Sequence, residues 1–420
     1  MKENLGNIFQ NIRDRIKKSD RGLWYSTIVL AFVSIVLMFS TTDTLGDPWK
    51  NTFVQLVFFI IAFLVMVSLH YIHYNHIRKI ATYAPLLILI LLISLTFFGV
   101  TINGAKRWIT IPFIGFTFQP SELIKILLVI YVARTLAIFQ TAKGCDDVAF
   151  RRIFTVTAIV FVWIATSNVS TAILMALTVF IMMAVGRIRT KWILSLFFGA
   201  MALVAVVVLI AVNTDWRPNI GRVTTALNRV ERFVAPEKAA NREAEEFAKL
   251  KTPRERQIAL ASKQRREDEK KQVEAAKAAI ATGGIIGKGP GNSNVRYVLP
   301  LPYSDYVFAI IVEELGLLAA FFLIFAYLAM VYRAGMIAQR CTRTFPAFLV
   351  IGLTTIIVLQ AFMNMAVAVS LMPVTGQPLP FVSKGGTSLL VTGFSIGMIL
   401  SVTYWLKRQE EEELAKHIQE

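Results

Sequence analysis

The sequence predicts an all-α integral membrane protein with about ten transmembrane helices and one large extracytoplasmic loop. Of its 420 residues, 55% are hydrophobic and only 17% are charged, and the mean hydropathy is +0.59. A soluble domain is typically about 25% charged and clearly less apolar, so a water-exposed globule is excluded. The formal charge of +17 matches the basic cytoplasmic loops of membrane proteins, and no nucleic-acid partner is expected.

Ten runs of the chain are candidate spans, since a membrane helix needs about 20 mostly apolar residues. The fifth and sixth runs are separated only by a polar stretch at 166–168, so nine spans is the alternative count. The first run has no small-residue cleavage site after it and is therefore a retained span, not a signal peptide. The runs lie near 23–40, 53–72, 82–100, 123–139, 153–165, 170–186, 192–212, 306–331, 345–370 and 387–406.

The distribution of Lys and Arg orients the spans, because cytoplasmic loops are enriched in both. With the N-terminus inside, the cytoplasmic segments contain basic clusters such as those at 13–21, 78–79 and 187–191. The opposite short loops hold only Lys50, Lys106, Arg107 and Lys384. Both termini are therefore expected in the cytoplasm. Cys145 and Cys341 fall on the same reducing side, so no structural disulfide is expected.

The predicted organisation has five parts. A cytoplasmic N-terminal segment (1–22) precedes seven transmembrane helices (23–212), the large extracytoplasmic loop (213–304), three further helices (305–406) and a cytoplasmic tail (407–420). Inside the loop, the abundance of Ala, Glu, Lys, Arg and Gln over 237–280 predicts helix, with one break at Thr252 and Pro253. This charged insert fits a solvated helical surface or a helix that docks on a partner or on lipid headgroups.

Three outward-facing segments combine polar residues with Gly and Pro at a membrane boundary, where irregular backbone must line a cavity or pack within protein. In the first, Lys106 and Arg107 suit an anionic ligand such as a phosphate, although headgroup anchoring explains them equally. Pro120 and Ser121 then predict the start of a helix. Glu122 and Lys125 lie three apart on one face of that helix, either as a functional pair or as charges that neutralise each other inside the bundle.

The second segment, residues 283–293, is glycine-rich, but its spacing is not that of a nucleotide-binding loop. A phosphate-binding loop needs four residues between its first Gly and its Gly-Lys pair, followed by Ser or Thr. Here position 282 is Thr, and Lys288 is followed by Gly289. A nucleotide site is therefore excluded. The loop remains a path that glycine allows to approach a ligand closely.

The second segment continues to Asp305, where a Pro-rich loop becomes a helix at the membrane surface. A partly desolvated carboxylate has a raised pKa and can act as a base. The alternative is a helix cap, with Ser304 or Asp305 as the N-cap residue. Deeper in the following helix, Glu313 or Glu314 requires a buried partner or a cavity.

The third segment, residues 373–388, contains three prolines and three glycines. Such a composition predicts a fixed, irregular backbone path. Lys384 is its only charge. We expect this segment to form the wall of a cavity at the outer face.

Together these segments resemble the SEDS family (shape, elongation, division and sporulation) of polytopic bacterial membrane proteins. Each motif is weak alone, but five in register over almost the whole chain make a specific match. They are 103–108 (Asn-Gly-Ala-Lys-Arg-Trp), 119–122 (Gln-Pro-Ser-Glu) with Lys125, 287–289 (Gly-Lys-Gly), 304–305 (Ser-Asp) followed by 313–316 (Glu-Glu-Leu-Gly), and 378–386 (Pro-Leu-Pro-Phe-Val-Ser-Lys-Gly-Gly). Residues 289–293 and 375–377 are more similar to the division member of the family than to its elongation member.

The resemblance implies a peptidoglycan glycosyltransferase that polymerises lipid II into glycan strands at the outer face of the bacterial cytoplasmic membrane during cell division. It implies a class B penicillin-binding protein transpeptidase and other division proteins as partners. No cofactor is certain, and a divalent cation remains possible. A lipid II flippase and a noncatalytic division scaffold are the alternative functions.

The resemblance also assigns site residues. Asp305 matches the family's catalytic aspartate. The residues expected to bind substrate are Lys106, Arg107, Gln119, Ser121, Glu122, Lys125, Lys288, Ser383 and Lys384. At 167–171 the chain has Ser-Asn-Val-Ser-Thr where the family commonly has Pro-Asp-x-Gly-Thr, so no acid is assigned there.

Overall fold

The computed structural model describes residues 14–41, 48–102, 105–110, 117–213, 253–294 and 306–419, with short stretches between 227 and 242. Almost all of this is helix. The bundle helices are α1 (Arg21–Thr41), α2 (Pro48–His70), α3 (Tyr74–Phe98), α4 (Pro120–Phe139), α5 (Asp147–Ala165), α6 (Val169–Val185), α7 (Thr190–Asn213), α9 (Val307–Arg340), α10 (Thr344–Ala368) and α11 (Gly386–Gln419). Between α7 and α9, the loop contains the long helix α8 (Pro253–Thr282).

Eight of these helices are long and apolar enough to cross a membrane, namely α1, α2, α3, α5, α7, α9, α10 and α11. The other two are α6, which has 17 residues, and α4, which carries Glu122, Lys125 and Arg134. Asn168 is the N-cap of α6 and accepts a hydrogen bond from the amide of Thr171. The polar stretch at 166–168 is therefore a helix boundary. The predicted all-α membrane fold is confirmed, with ten bundle helices in the described residues.

Short strands lie in the described residues at both ends of the bundle. β1 (Val100–Ile102), β2 (Ala105–Thr110) and β3 (Thr117–Phe118) form an antiparallel sheet between α3 and α4. β4 (Gln140–Thr141) and β5 (Gly144–Cys145) form a hairpin between α4 and α5. Because α4 separates the two, the sheets stand at opposite ends of the bundle.

α2 and α11 pack closely against each other at small residues. Gly393 and Gly397 are four apart on α11, and a Cβ added at either would come within 2.9 Å of the backbone of Ala62 or Met66. Apolar lipid gives membrane helices no hydrophobic reason to associate, so close backbone approach at small residues supplies the packing energy. The same two helices belong to one continuous core.

The helices differ in how far they are enclosed. In α10 and α11, 72% and 83% of the spanning residues are buried. In α7, no residue of the span is buried. The centre of the molecule is therefore around α10 and α11, and polar residues on α10 lie in its interior.

The N- and C-terminal segments meet at one end of the bundle. Lys18 pairs with Glu411 at 2.6 Å, and Asp20 pairs with Arg333 near the end of α9. The Arg15 guanidinium lies over the rings of Tyr71 and Tyr404. The described parts of both terminal segments are therefore on the same side, as an even number of spans requires.

Several helices run further than predicted, and three of them do so most clearly. α3 begins at Tyr74 instead of near 82, α9 ends at Arg340 instead of near 331, and α11 continues to Gln419 instead of ending near 406. Charged residues at these ends reach water, so a helix can continue past its apolar run. In the loop, α8 begins at Pro253, in agreement with the predicted break there. Cys145 and Cys341 are both free thiols.

Candidate functional site

Glu122 and Lys125 form a buried ion pair at the start of α4. Glu122 Oε1 and Lys125 Nζ are 2.8 Å apart, and the two side chains are only 6% and 4% exposed. The prediction that they share one helical face is confirmed. Two charges can be buried this deeply only if each is paired and hydrogen-bonded, and Lys125 also donates to Gln360 Oε1 at 2.6 Å.

Two amides on α10 extend this cluster, and neither was predicted from the sequence. Gln360 Nε2 donates to the carbonyl of Pro378 at 2.9 Å, and Asn364 Nδ2 donates to the carbonyl of Gln377 at 2.8 Å. Gln360 and Asn364 are four residues apart in an otherwise apolar helix. That spacing puts them on one face of the helix. It could have predicted a polar contact within the membrane.

The loop at 369–385 is held by side chains from several helices. Besides the two amides of α10, Tyr327 on α9 donates to the carbonyl of Pro380 at 2.6 Å, and Ser34 on α1 donates to that of Val382 at 3.0 Å. Gln377 Nε2 donates to Thr171 Oγ1 on α6 at 2.8 Å. The predicted fixed path for this segment agrees with these contacts.

The same loop presents polar groups of its own. Ser383 Oγ is buried and accepts from the amide of Leu379 at 2.7 Å. Lys384 is half-buried, and this burial lowers the pKa of its ammonium below the ordinary value. Within the described part of the chain, Gln377 Oε1 and Thr375 Oγ1 are buried without a hydrogen-bond donor. These are acceptors that a polar ligand could use.

Two of the predicted substrate-binding cations, Lys106 and Arg107, lie on the sheet beside α4. Arg107 lies on β2, and its Nε donates to the carbonyl of Ser167 at 2.9 Å, between α5 and α6. Lys106 is on the same strand, but its side chain lies outside the described residues. Gln119 is the N-cap residue of α4 and donates to Oγ of the buried Ser121 at 2.9 Å.

Lys288 contacts a buried carboxylate. Its Nζ lies 2.7 Å from Glu313 Oε1 and donates to Thr282 Oγ1 at 2.8 Å. The prediction that Glu313 or Glu314 needs a buried partner is therefore confirmed for Glu313. The contacts that the structure shows for Lys288 hold the glycine-rich loop, and its role in substrate binding stays a prediction.

Asp305 lies outside the described residues, so its catalytic role stays a prediction. α9 begins at Val307 with Tyr306 as the N-cap residue. Ser304 also lies outside the described residues, so the alternative in which Ser304 or Asp305 caps this helix stays a prediction as well. In the described residues, no group of three or more His, Cys, Asp or Glu side chains could hold a metal ion, and the divalent cation also stays a prediction.

A family model described as a cell cycle protein, which covers FtsW, RodA and SpoVE, matches residues 21–408. The chain belongs to this family. These are the SEDS proteins, so the predicted resemblance is confirmed. A multi-pass bacterial membrane protein agrees with both the family and the apolar helices.

Curated relatives named "Probable peptidoglycan glycosyltransferase FtsW" match most of the chain. The protein of Geobacter sulfurreducens is 29% identical over 327 residues, or 77% of each chain. That of Lactococcus lactis is 26% identical over 93% of each chain. That of Bacillus subtilis is 27% identical over 96% of this chain and 94% of its own. The predicted similarity to the division member agrees with these names.

Solved structures share the fold of this SEDS protein. A chain from a peptidoglycan synthase complex that coordinates polymerization and crosslinking has a TM-score of 0.67, with 22% identity over 92% of this chain and 98% of that one. Thermus thermophilus rod shape determining protein RodA has a TM-score of 0.56, with 20% identity over 92% of this chain and 96% of that one.

Proposed function

We propose that the chain is a peptidoglycan glycosyltransferase that polymerises lipid II into glycan strands at the outer face of the bacterial inner membrane during septal wall synthesis. The observation that carries this proposal is the buried polar site around Glu122, Lys125 and the loop at 369–385, in a family whose relatives are named for this activity. The site occupies the end of the bundle opposite to the two termini.

The reaction that we propose is attack by a sugar hydroxyl on an anomeric carbon. A new C–O bond forms, the bond to the lipid-linked diphosphate breaks, and the diphosphate leaves with the electron pair. A base must take the hydroxyl proton, and positive charge must stabilise the leaving group. We assign the base to Asp305, and the contact with the diphosphate to Lys106, Arg107 and Lys384.

Other residues of the site would hold the substrate in place. Gln377 Oε1 and Thr375 Oγ1, which lack donors among the described residues, would accept from hydroxyl or amide groups of the saccharide. Glu122 and Lys125 would fix the α4 side of the cavity through Gln360. Ordered partners of this kind supply orientation, which accounts for a large share of catalysis.

The proposal also includes the protein partners and the orientation of the chain in the membrane. One solved complex of the same fold coordinates polymerization with crosslinking, which supports a class B penicillin-binding protein transpeptidase as a partner, together with other division proteins. The basic clusters at 13–21, 78–79 and 187–191 support cytoplasmic termini. A divalent cation, if used, would supply charge at the leaving diphosphate.

A lipid II flippase is the competing function. A transporter of this size places its key polar groups near the middle of the membrane, commonly between inverted repeats. Here the Glu122 pair lies in the first turns of α4 and the loop at 369–385 follows the end of α10. Polar groups at the helix ends favour surface chemistry over transport.

The test is a reconstitution in liposomes of the purified chain with its transpeptidase partner, whose crosslinking activity is blocked by a β-lactam. Fluorescent lipid II is supplied in the outer leaflet, and both glycan strands and lipid translocation are measured. Glycan strands without translocation support the proposal. Translocation without strands would establish the flippase, and neither activity would favour the noncatalytic scaffold.

A further inference from the structure

Gln377, in the loop at 369–385, is fixed by side chains from two helices. Its carbonyl accepts from Asn364 Nδ2 on α10 at 2.8 Å, and its Nε2 donates to Thr171 Oγ1 at the start of α6 at 2.8 Å. Thr171 is itself held, because its amide donates to Asn168 Oδ1, the side chain that caps α6, at 3.2 Å. The backbone and the side chain of Gln377 are therefore both anchored to the bundle.

One polar atom of this anchored side chain has no partner. Gln377 is only 2% exposed, and its Oε1 is buried without a hydrogen bond in the part of the chain that the structure describes. Two residues earlier, Thr375 Oγ1 is buried in the same condition. Between them Gly376 has φ 66°, the left-handed conformation of a tight turn. Buried polar atoms without a partner are rare in folded proteins, and an unoccupied ligand site is one physical reason for them.

The chemistry of these two atoms restricts the group that they bind. An amide oxygen only accepts hydrogen bonds, whereas a threonine hydroxyl both donates and accepts. An ionised diphosphate or carboxylate offers acceptors alone, so it cannot satisfy Gln377. A charged donor would need a counter-charge once it leaves water, and Gln377 and Thr375 are both neutral. The bound group is therefore neutral and contains a donor.

An acetamido group meets both requirements. Its N–H can donate to Gln377 Oε1, and its carbonyl can accept from the Thr375 hydroxyl. A sugar hydroxyl would also provide a donor, but it lacks an apolar part. Leu379, Phe381 and Val382 of the same loop are buried apolar side chains, and such surroundings favour a group with a methyl over a bare hydroxyl.

We propose that Gln377 determines the specificity of the glycosyltransferase for N-acetylated sugars. Gln377 Oε1 accepts a hydrogen bond from an acetamido N–H of lipid II, and Thr375 donates to the carbonyl of the same group. Thr171 is a positioning residue, because it acts on the substrate only through the Gln377 amide. The inference rests on the proposed function and narrows it to one group of the substrate, since each of the two sugars of lipid II carries an acetamido group.

The experiment removes the N–H from the substrate and the acceptor from the protein. Two lipid II analogues carry an acetyl ester in place of the acetamido group, one on each sugar, so only the N–H is lost. Gln377→Met removes Oε1 at nearly constant side-chain length. Tyr327→Phe is the matched control, because it removes another hydrogen bond to the same loop, that to Pro380. For the full chain in complex with its partner, kcat/KM on each substrate and the melting temperature are measured.

We expect the wild type to prefer natural lipid II over one of the analogues by about 10- to 100-fold in kcat/KM, since loss of the N–H leaves a buried acceptor unpaired. In Gln377→Met that preference should fall to about 3-fold or less, because the acceptor is gone. Tyr327→Phe should keep the preference of the wild type, whatever its rate on natural lipid II. Comparing the preferences of two proteins cancels any difference in intrinsic reactivity between the ester and the amide.

An equal preference in folded Gln377→Met and the wild type would overturn the inference, and so would a wild type that uses all three substrates equally well. A sugar hydroxyl or an ordered water would then be the partner of Oε1. If Gln377→Met does not fold, Thr171→Val decides, because it removes the hydroxyl that orients the amide. A preference weakened by about 3-fold or more in Thr171→Val supports the inference, and an unchanged preference overturns it.

The wild type on natural lipid II separates the inference from the proposed function. If it makes no glycan strands, the proposed function fails and the inference fails with it. If it makes strands but its preference does not depend on Gln377, only the inference fails.

Discussion

Glu122 and Lys125 show that a charged side chain buried in a membrane helix needs a partner of opposite charge. Each is almost fully buried, and each compensates the other at 2.8 Å. Removing one partner leaves an unpaired charge in a medium of low dielectric, which is far more costly than removing both. The pair is therefore a fixed point from which Gln360 and the loop at 369–385 are held.

We predict that Lys125→Met destabilises the protein by about 3 to 5 kcal/mol. The double variant Glu122→Gln/Lys125→Met should recover part of that loss, because no unpaired charge remains. Melting in detergent measures both. The control is Arg408→Met, which breaks an exposed pair with Glu412 and should leave the melting temperature unchanged. Equal losses in the single and double variants would contradict the account of the pair.

Lys384 gives a prediction for pH dependence. Burial lowers the pKa of this ammonium, so its charge is present at low pH and is lost as the pH rises through a value below 10.5. Its contribution to diphosphate binding should disappear over the same range. Lys384→Arg keeps the charge at all accessible pH values. We therefore expect the alkaline limb of kcat/KM to move to higher pH in this variant.

Lys384→Met should raise the KM for lipid II by about 10-fold, the loss of one charge-assisted hydrogen bond. Steady-state polymerisation between neutral and alkaline pH checks both variants. A pH profile of Lys384→Arg that superimposes on the wild type would show that Lys384 does not meet the diphosphate.

For single residues, the sequence predicted their positions on a helix better than their contacts with other elements. The shared face of Glu122 and Lys125 follows from a spacing of three in a helix, which is local. The contacts of Gln360 with Lys125 and of Gln377 with Thr171 join elements far apart in sequence. Such contacts depend on which helices are neighbours, and hydropathy does not determine that.

Among the elements, the broken helix α9 with its loop is the least expected. Its start was predicted correctly, but an apolar run does not distinguish a continuous helix from one that is interrupted at Gly316. Its glycines allow the loop at 283–294 to approach a ligand closely, and the structure shows that the same loop also lies against the backbone of α9. The short strands of the sheet between α3 and α4 were also not predicted, because runs of two to six residues carry little periodic signal.

Gly316→Ala should cost about 3 kcal/mol through backbone strain. A Cβ at this position would also lie 2.2 Å from the carbonyl oxygen of Ile285, so the loop would have to leave the break. The matched control is Gly335→Ala in the same helix, where nothing lies within 4 Å of the added Cβ. That change should be neutral or slightly stabilising. Equal melting temperatures for the two variants would contradict the conclusion that α9 is interrupted at Gly316 and bonded there to the loop at 283–294.

For the whole molecule, composition predicted the class and the distribution of Lys and Arg predicted the orientation. The structure adds that the N- and C-terminal segments touch, through Lys18 and Glu411. Composition could not predict how much of each helix is buried inside the bundle. α7 is the most apolar of the eight candidate spans in the described residues, yet none of its spanning residues is buried, while most of those in α10 and α11 are.

Labelling of single cysteines tests the orientation. In a background of Cys145→Ala and Cys341→Ala, we introduce Ile286→Cys in the glycine loop and Leu414→Cys in the tail, at positions where the side chains are 83% and 63% exposed. A membrane-impermeant maleimide should label the first in intact spheroplasts and the second only after permeabilisation. The reverse pattern would invert the topology and move the proposed site to the cytoplasm.

The central claim is that this chain itself makes glycan strands by chemistry at its outer face. The most direct measurement is polymerisation of lipid II by the purified chain and its partner, with wild type and Asp305→Asn compared at equal amounts of folded complex. We predict long strands from the wild type, none from Asp305→Asn, and unchanged melting temperatures. Strands of normal length and yield from Asp305→Asn would contradict the account.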